Sequence, residues 1–209
     1  MKKKTAIRLM RAAKSWIAGT GMALALICPP AWSAIDGTRL QAAVDRAYES
    51  FREVTDGENA DYIPILATVP SDLFGVVIAT RDGQVYSAGD VDYRFSIQSV
   101  SKPFTAALVM AQQGPEAVRS KIGVEPTGLP FNSKVAIEIY EERSGNPMVN
   151  AGAIAAVSLV DADTEEQRWK LVLENIEGFA GESLSVLEDV YTSEYETAWG
   201  NRAIANLLY

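Results

Sequence analysis

The predicted fold is organised around a ten-residue stretch, FSIQSVSKPF at residues 95–104. An apolar, strand-like segment leads into Ser99 and Lys102, and a mostly apolar helix is predicted from Ser99 to about Gln113. Residues three apart lie on the same face of a helix, so the serine hydroxyl and the lysine amine can meet. The spacing therefore predicts a serine nucleophile beside a lysine base.

A lysine at the start of a buried helix is suited to act as that base. The helix N-terminus disfavours a positive charge, and burial lowers the pKa of an amine. A neutral amine can then take the proton from the Ser99 hydroxyl, which activates a weak nucleophile. The spacing alone leaves an alternative open, because a surface serine near a solvated lysine has the same sequence pattern.

The composition excludes most other kinds of catalytic site. The 209 residues include no histidine, which excludes a Ser-His-Asp triad and histidine-ligated metals. The single cysteine, Cys28, lies in the N-terminal segment, so a processed chain would have no cysteine nucleophile, disulfide or thiolate metal site. Any catalysis must then come from Ser, Thr, Tyr, Lys, Asp and Glu side chains.

The N-terminal segment, residues 1–33, has the pattern of a secretory signal peptide. A basic start leads into an apolar run, Trp16–Cys28, and then into small residues that suit cleavage after Ser33. The run is too short to span a bilayer comfortably, so we expect no stable membrane insertion after processing. The expected location is periplasmic or secreted. The alternatives are an anchor formed by an uncleaved signal and a misassigned start codon.

The remainder, residues 34–209, is predicted to form one domain and is strongly acidic. The whole chain has a formal net charge of −8, and the remainder has 13 basic and 27 acidic residues, a net charge of −14. This charge argues against nucleic acid and anionic membrane surfaces as partners.

The hydrophobic pattern predicts a mostly helical α+β domain with one N-terminal β-hairpin. The hairpin comprises Leu73–Thr80 and Val85–Ala88 around a polar turn, and Pro64 predicts a loop over residues 61–67. Helices are predicted over residues 36–55, 99–113, 151–160, 164–179, 183–190 and 203–209, with surface loops around short ordered pieces over 123–147. A two-stranded hairpin is marginal by itself, and the helical pattern continues to Tyr209 without a stop signal. We therefore expect the N-terminal portion of a larger domain whose other strands are missing.

Three further polar residues are candidates for a binding pocket. Asn150, Glu194 and Asn201 each lie beside a predicted helix start or a Gly/Pro break. Asn150 could instead be an N-cap, Glu194 part of a capping arrangement after Ser193, and Asn201 a turn residue. If Ser99 is a nucleophile, the carboxylate could bind a substrate ammonium, and the amides could bind a carboxylate or carboxamide.

Several stretches in order along residues 60–209 resemble the serine-dependent glutaminases, which share the β-lactamase and penicillin-binding-protein fold. The matching stretches are 62–64, 72–75, 82–84, 89–90, 95–102, 125–128, 131–133, 146–154, 193–194 and 201–203. The resemblance implies a β-lactamase/transpeptidase-like fold, no cofactor and no metal, and a homo-oligomer. It implies hydrolysis of L-glutamine to L-glutamate and ammonia through a glutamyl-serine intermediate.

The same resemblance implies a role for each candidate residue. Ser99 is the implied nucleophile and Lys102 its base, and both are implied to be catalytic. The residues implied to bind substrate are Ser99, Asn150, Glu194, Asn201, Gln98 and Tyr62, although Tyr62 could instead be a packed aromatic.

The resemblance also predicts what the chain lacks. In the family, the chain continues with two further pocket tyrosines, an oxyanion-hole residue on a late strand and most of the sheet. We therefore expect the 209-residue chain to be inactive or poorly folded, since loss of one oxyanion donor can lower the rate about a hundredfold or more. The alternatives are a penicillin-recognising serine hydrolase with the same S-x-x-K logic, or an inactive relic that only binds ligand.

Overall fold

The computed structural model describes residues 36–139 and 144–208; the predicted signal peptide and Cys28 lie outside these ranges. The described part is mostly helical, with a two-stranded antiparallel sheet. In chain order the elements are α1 (Gly37–Phe51), β1 (Gly75–Ala79), β2 (Val85–Gly89), α2 (Ser101–Gln113), α3 (Pro115–Lys121), α4 (Val135–Ile139), α5 (Asn150–Ser158), α6 (Glu165–Ala180), α7 (Glu188–Thr197) and α8 (Trp199–Leu207). Short 3-10 turns occupy Pro64–Thr68 and Gln98–Val100. None of the helices in these ranges combines the length and apolar character needed to cross a bilayer.

The helix α1 packs against the β1–β2 hairpin. The β-branched run of β1 pairs antiparallel with β2, with Ile78 opposite Tyr86, and its side chains alternate between half-buried and exposed. The exposed side includes Val77, at 53% exposure. On the covered side, Tyr48 of α1 stacks on Phe74 with ring centroids 5.7 Å apart. The predicted hairpin and the first helix are therefore confirmed.

An apolar cluster joins α2, α3, α5 and α6. Its buried members are Val109, Val118, Ile122, Ala156, Val160 and Val172. Burying these side chains is the main favourable term for helices this short, since isolated helices of fewer than about 12 residues are marginal in water. The cluster therefore holds α2 and α5 against each other through their C-terminal halves.

Several predicted helix boundaries and one predicted loop differ from the structure. Pro64 begins a 3-10 turn, because a proline is tolerated at the first helical position, where its missing N–H would have no helical partner. The helix predicted over 183–190 begins only at Glu188 and continues to Thr197. The helix predicted from Ser99 begins at Ser101, after a 3-10 turn. The sequence predicts that this helix is buried, but its buried residues are only Thr105, Ala106 and Val109.

Ile122 gives a direct test of the apolar cluster, because none of its surface is exposed. We expect Ile122→Ala to lower the free energy of unfolding by about 2–5 kcal/mol, from lost burial and the cavity left behind. Ile139→Ala is the matched control, since Ile139 is 59% exposed. Chemical denaturation of both variants measures the difference, and equal losses would contradict the assignment of the core.

Candidate active site

Lys102 lies at the second position of α2 and is half-buried. Its ammonium donates a hydrogen bond to Asn150 Oδ1 at 2.8 Å and lies 5.6 Å from the centre of the Phe131 ring. Burial lowers the pKa of Lys102 below its ordinary 10.5. A larger share of neutral amine at a given pH is the property that a lysine base needs.

Asn150 links Lys102 to a third helix. Its amide nitrogen donates to Asn201 Oδ1 at 2.9 Å, so side-chain hydrogen bonds connect Lys102, Asn150 and Asn201 across α2, α5 and α8. Asn150 is the first residue of α5, and the cap position belongs to Val149. Asn201 lies inside α8. The alternative interpretations of Asn150 as a cap and Asn201 as a turn residue are therefore wrong.

The loop before α5 sets the position of Asn150. The side chain of Asn146 donates to the Glu125 carbonyl at 2.8 Å and accepts from the Met148 N–H at 2.9 Å. The Asn150 N–H donates to the Phe131 carbonyl at 2.8 Å. A Cβ at Gly152 would collide with the Asn146 carbonyl oxygen, so this close approach of loop and helix requires glycine.

Ser99 lies in the 3-10 turn just before α2 and is exposed. Among the described residues, no hydrogen bond joins its hydroxyl to Lys102, whose recorded hydrogen bond goes to Asn150. The structure therefore brings the predicted nucleophile and base to the same helix start, without a direct hydrogen bond between them. Such hydrogen bonds are often long without substrate and tighten in the reacting complex.

Among the described residues, Gln98 and Tyr62 line a cleft of about 550 Å³, and the residues lining it do not include Ser99, Lys102, Asn150, Glu194 or Asn201. The cleft lies between the segment 59–70, the residues before Ser99 and the start of α7. Its lining also includes Tyr93, Phe95, Ser96, Leu187 and Asp189. The Gln98 amide donates to Ser96 Oγ at 2.8 Å, and the Tyr62 side chain is 63% exposed. These two predicted pocket residues therefore share one cleft.

Glu194 lies inside α7 and is half-buried. The helix starts six residues earlier, at Glu188, so the alternative role of Glu194 in a capping arrangement is wrong. The neighbouring Ser193 Oγ accepts a hydrogen bond from the Ile65 N–H at 3.3 Å, which ties α7 to the turn after Tyr62. The described contacts do not join the Glu194 carboxylate to Lys102, Asn150 or Asn201.

Two residues that contact the candidate site were not among the predicted site residues. Phe131 contacts the Lys102 ammonium through its ring and Asn150 through its carbonyl. Ser96 accepts the hydrogen bond from Gln98. Both lie in stretches of the family resemblance, but nothing in local spacing separates them from packing residues. Within residues 36–139 and 144–208, no cluster of acidic, histidine or cysteine side chains could hold a metal ion.

Comparison with known proteins identifies the family. The model of the glutaminase family matches residues 57–209. Glutaminase 1 of Escherichia coli (strain K12) is 51% identical over 175 residues, which are 84% of this chain and 56% of that protein. The glutaminase of Brucella canis is 52% identical over 170 residues, which are 81% of this chain and 54% of that protein. The chain belongs to the glutaminase family and spans about half the length of these relatives.

Solved glutaminase structures share the fold. The probable glutaminase ybaS has a TM-score of 0.82 at 51% identity, covering 84% of this chain and 57% of that chain. Mglu in its native form has a TM-score of 0.75 at 34% identity, covering 81% of this chain and 41% of that chain. A probable glutaminase from Bacillus subtilis, complexed with 6-diazo-5-oxo-L-norleucine, has a TM-score of 0.66 at 27% identity, covering 84% of this chain and 52% of that chain. The predicted α+β, β-lactamase-like fold is confirmed.

The lowered pKa of Lys102 gives a pH-dependent prediction. Between that pKa and 10.5 the unfolded chain binds more protons at this site than the folded chain, so the stability contributed by this site increases as pH rises through the window. Below the window, the folded state pays for partly burying a charged amine. We therefore expect the change in the free energy of unfolding caused by Lys102→Met to be less destabilising at pH 7 than at pH 10.5.

Denaturant unfolding across this pH range measures the effect. The hydrogen bond to Asn150 is charge-assisted only while Lys102 is protonated, so the dependence on pH reports the titration of Lys102 together with this contact. Lys170→Met, on the exposed side of α6, controls for the loss of one lysine charge. A stability difference between Lys102→Met and the original chain that stays constant with pH, after this control, would contradict the lowered pKa.

Proposed function

We propose that this chain carries the nucleophile and base of a glutaminase active site, which hydrolyses L-glutamine to L-glutamate and ammonia. The observation that carries the proposal is the hydrogen-bonded set Lys102, Asn150 and Asn201 beside Ser99, in a chain of the glutaminase family. Family membership also favours this reaction over the penicillin-recognising alternative.

In the proposed acylation step, neutral Lys102 takes the proton of the Ser99 hydroxyl. The Ser99 oxygen attacks the side-chain carboxamide carbon of glutamine, and the carbon–nitrogen bond breaks. Lys102 returns the proton to the leaving nitrogen, which departs as ammonia and leaves a glutamyl ester on Ser99. The half-buried position of Lys102 and its lowered pKa support this role.

In the proposed second step, Lys102 takes a proton from water, whose oxygen attacks the ester. The bond between the acyl carbon and Ser99 Oγ breaks, and the proton returns to Ser99 as L-glutamate leaves. We assign the substrate ammonium to Glu194, the polar ends of the substrate to Asn150 and Asn201, and the neighbouring pocket wall to Gln98 and Tyr62. Mglu has been solved in a glutamate form, which supports an amino-acid ligand of this size.

Turnover requires more than the residues described. The chain spans 56% of E. coli glutaminase 1, and Ser99 is exposed to water. A water-filled site weakens the electrostatic interactions that stabilise a developing oxyanion. We therefore propose glutaminase activity for this chain when it is combined with the part of the fold that the relatives have beyond the match.

Ammonia release from L-glutamine tests this proposal in two proteins. One is the 209-residue chain, and the other is this chain joined to the unmatched remainder of E. coli glutaminase 1. We expect the fused protein to release ammonia, and the 209-residue chain to be slower by about a hundredfold or more. Ser99→Ala in the fused protein should lower the rate by about a thousandfold or more, because no intermediate can form.

The matched control is Ser120→Ala, which removes a serine hydroxyl on α3 that donates only to its own helix. A folded fused protein that releases no ammonia, or keeps its activity with Ser99→Ala, would overturn the proposal. Stabilisation of the fused protein by glutamine without ammonia release would point to ligand binding alone. Acylation of Ser99 by a labelled β-lactam would point to the penicillin-recognising alternative.

We also propose that the protein is exported and forms a homo-oligomer. The basic start and apolar run of residues 1–33 support export, and the family resemblance supports self-association. Expression with the native N-terminus tests both. The periplasmic or secreted protein should begin after Ser33, and light scattering should give a multiple of the processed chain mass. An intact N-terminus in the membrane fraction would instead support the uncleaved anchor, and a monomeric mass would contradict the oligomer.

A further inference from the structure

Gln98 has an unusual backbone conformation immediately before Ser99. Its φ is +44°, and it is the only residue other than glycine with positive φ among residues 36–139 and 144–208. Residues other than glycine rarely adopt this left-handed backbone conformation, because it brings their Cβ too close to the following carbonyl oxygen. Such a conformation persists only where surrounding contacts hold it, and residues of this kind cluster at functional sites.

Contacts on both sides hold Gln98 in this conformation. Its side-chain amide donates to Ser96 Oγ at 2.8 Å. Its carbonyl accepts from Ser101 Oγ at 2.8 Å and from the Ser101 N–H. The Val100 N–H donates to the Ile97 carbonyl at 3.1 Å, which closes the turn around Gln98. The two serines that flank Ser99 in this stretch therefore fix the residue before it.

We propose that Gln98 is a positioning residue for Ser99: its left-handed backbone, clamped by Ser96 and Ser101, directs the chain into α2 so that Ser99 stands exposed beside Lys102. The inference rests on the proposed nucleophile role of Ser99, and it assigns to the Gln98 backbone a function separate from the contact of its side chain with the cleft. A residue in the usual right-handed region at position 98 would rotate Ser99 relative to Lys102.

The conformation is tested first by thermal unfolding of the 209-residue chain with two substitutions. Gln98→Gly and Gln98→Val both remove the amide that bonds Ser96, but only glycine adopts positive φ without steric cost. A β-branched residue is strongly disfavoured there. We expect Gln98→Gly to unfold at least about 3 °C above Gln98→Val. Gln98→Asn and Gln98→Leu form a second pair, in which asparagine tolerates this region better and should unfold at the higher temperature.

The position of Ser99 is tested by its labelling with a fluorophosphonate, a phosphorus electrophile that reacts with activated serines. The Ser99 oxygen forms a bond to phosphorus, the phosphorus–fluorine bond breaks, fluoride leaves, and Lys102 accepts the hydroxyl proton. We expect Gln98→Val to slow labelling by roughly tenfold to a hundredfold relative to the original chain, because a small misplacement of a nucleophile has effects of this size. Gln98→Gly should label faster than Gln98→Val by at least about tenfold.

The pH dependence of labelling distinguishes a shift in the position of Ser99 from a loss of packing around Lys102. The midpoint of that dependence should stay the same in both variants, because the contacts recorded for Gln98 go to Ser96 and Ser101 and not to Lys102. Loosening of the structure would expose Lys102 and move the midpoint to higher pH. Ser120→Ala, with its hydroxyl bonded within α3, is the control that should label like the original chain.

Three results would overturn the proposal. Equal slowing of labelling by glycine and valine would place the effect in the lost side chain rather than the backbone. An unfolding temperature of Gln98→Val equal to or above that of Gln98→Gly would show that position 98 is not held at positive φ. Labelling of Ser99 in the original chain that is no faster than labelling of Ser120 would likewise overturn the positioning role of Gln98, whereas ammonia release by the fused protein separately decides the proposed function.

Discussion

The interaction on which the site depends is the hydrogen bond from the half-buried Lys102 ammonium to Asn150 Oδ1. A cation at the N-terminal end of a helix meets the positive end of the helix dipole and loses part of its hydration. It needs an acceptor close by, and Asn150 supplies one from a different helix. Because the Asn150 amide in turn donates to Asn201, satisfying one amine determines how the starts of α2 and α5 approach α8. The position of the candidate base therefore depends on how α2, α5 and α8 pack together.

Packing makes this contact possible. Val109 and Ala156 belong to the same buried cluster, so α2 and α5 are held against each other beyond the polar contact. At the other end, Gly152 lets the loop at Asn146 lie directly against α5, which delivers Asn150 as the first residue of that helix. A buried polar network stabilises a structure only when its members are satisfied. The apolar cluster and the glycine supply the geometry that satisfies this one.

Local physics explains which parts of the fold were predictable. The β-branched run of β1 with its polar turn, and Thr164 as a cap that accepts from Gln167 N–H, are signals contained within a few residues. The position of Asn150 was not predictable in this way, because an asparagine before an apolar run also fits an N-cap. Only the Lys102 ammonium, 48 residues away in sequence, decides between the two. The positive φ of Gln98 likewise has no local signal, since glutamine has no preference for that region. The family resemblance named Ser99, Lys102, Asn150, Glu194 and Asn201, whereas local reasoning gave a catalytic argument only for the first two and left a surface serine near a solvated lysine as an alternative.

Exposure of the candidate site bears on the proposed chemistry, because Ser99 is exposed and Lys102 is only half-buried. The lowered pKa of Lys102 comes from burial, so any further covering of this helix start would lower it more and increase the share of neutral base at a given pH. The same covering would strengthen every hydrogen bond to a developing oxyanion, because the local dielectric falls. Phe95 and Val100, on either side of Ser99 in sequence, are 76% and 60% exposed, so apolar surface close to the nucleophile is open to water in this chain. Covering of this helix start would therefore act on the proposed chemistry of Ser99 through the dielectric around a candidate base that is already half-buried.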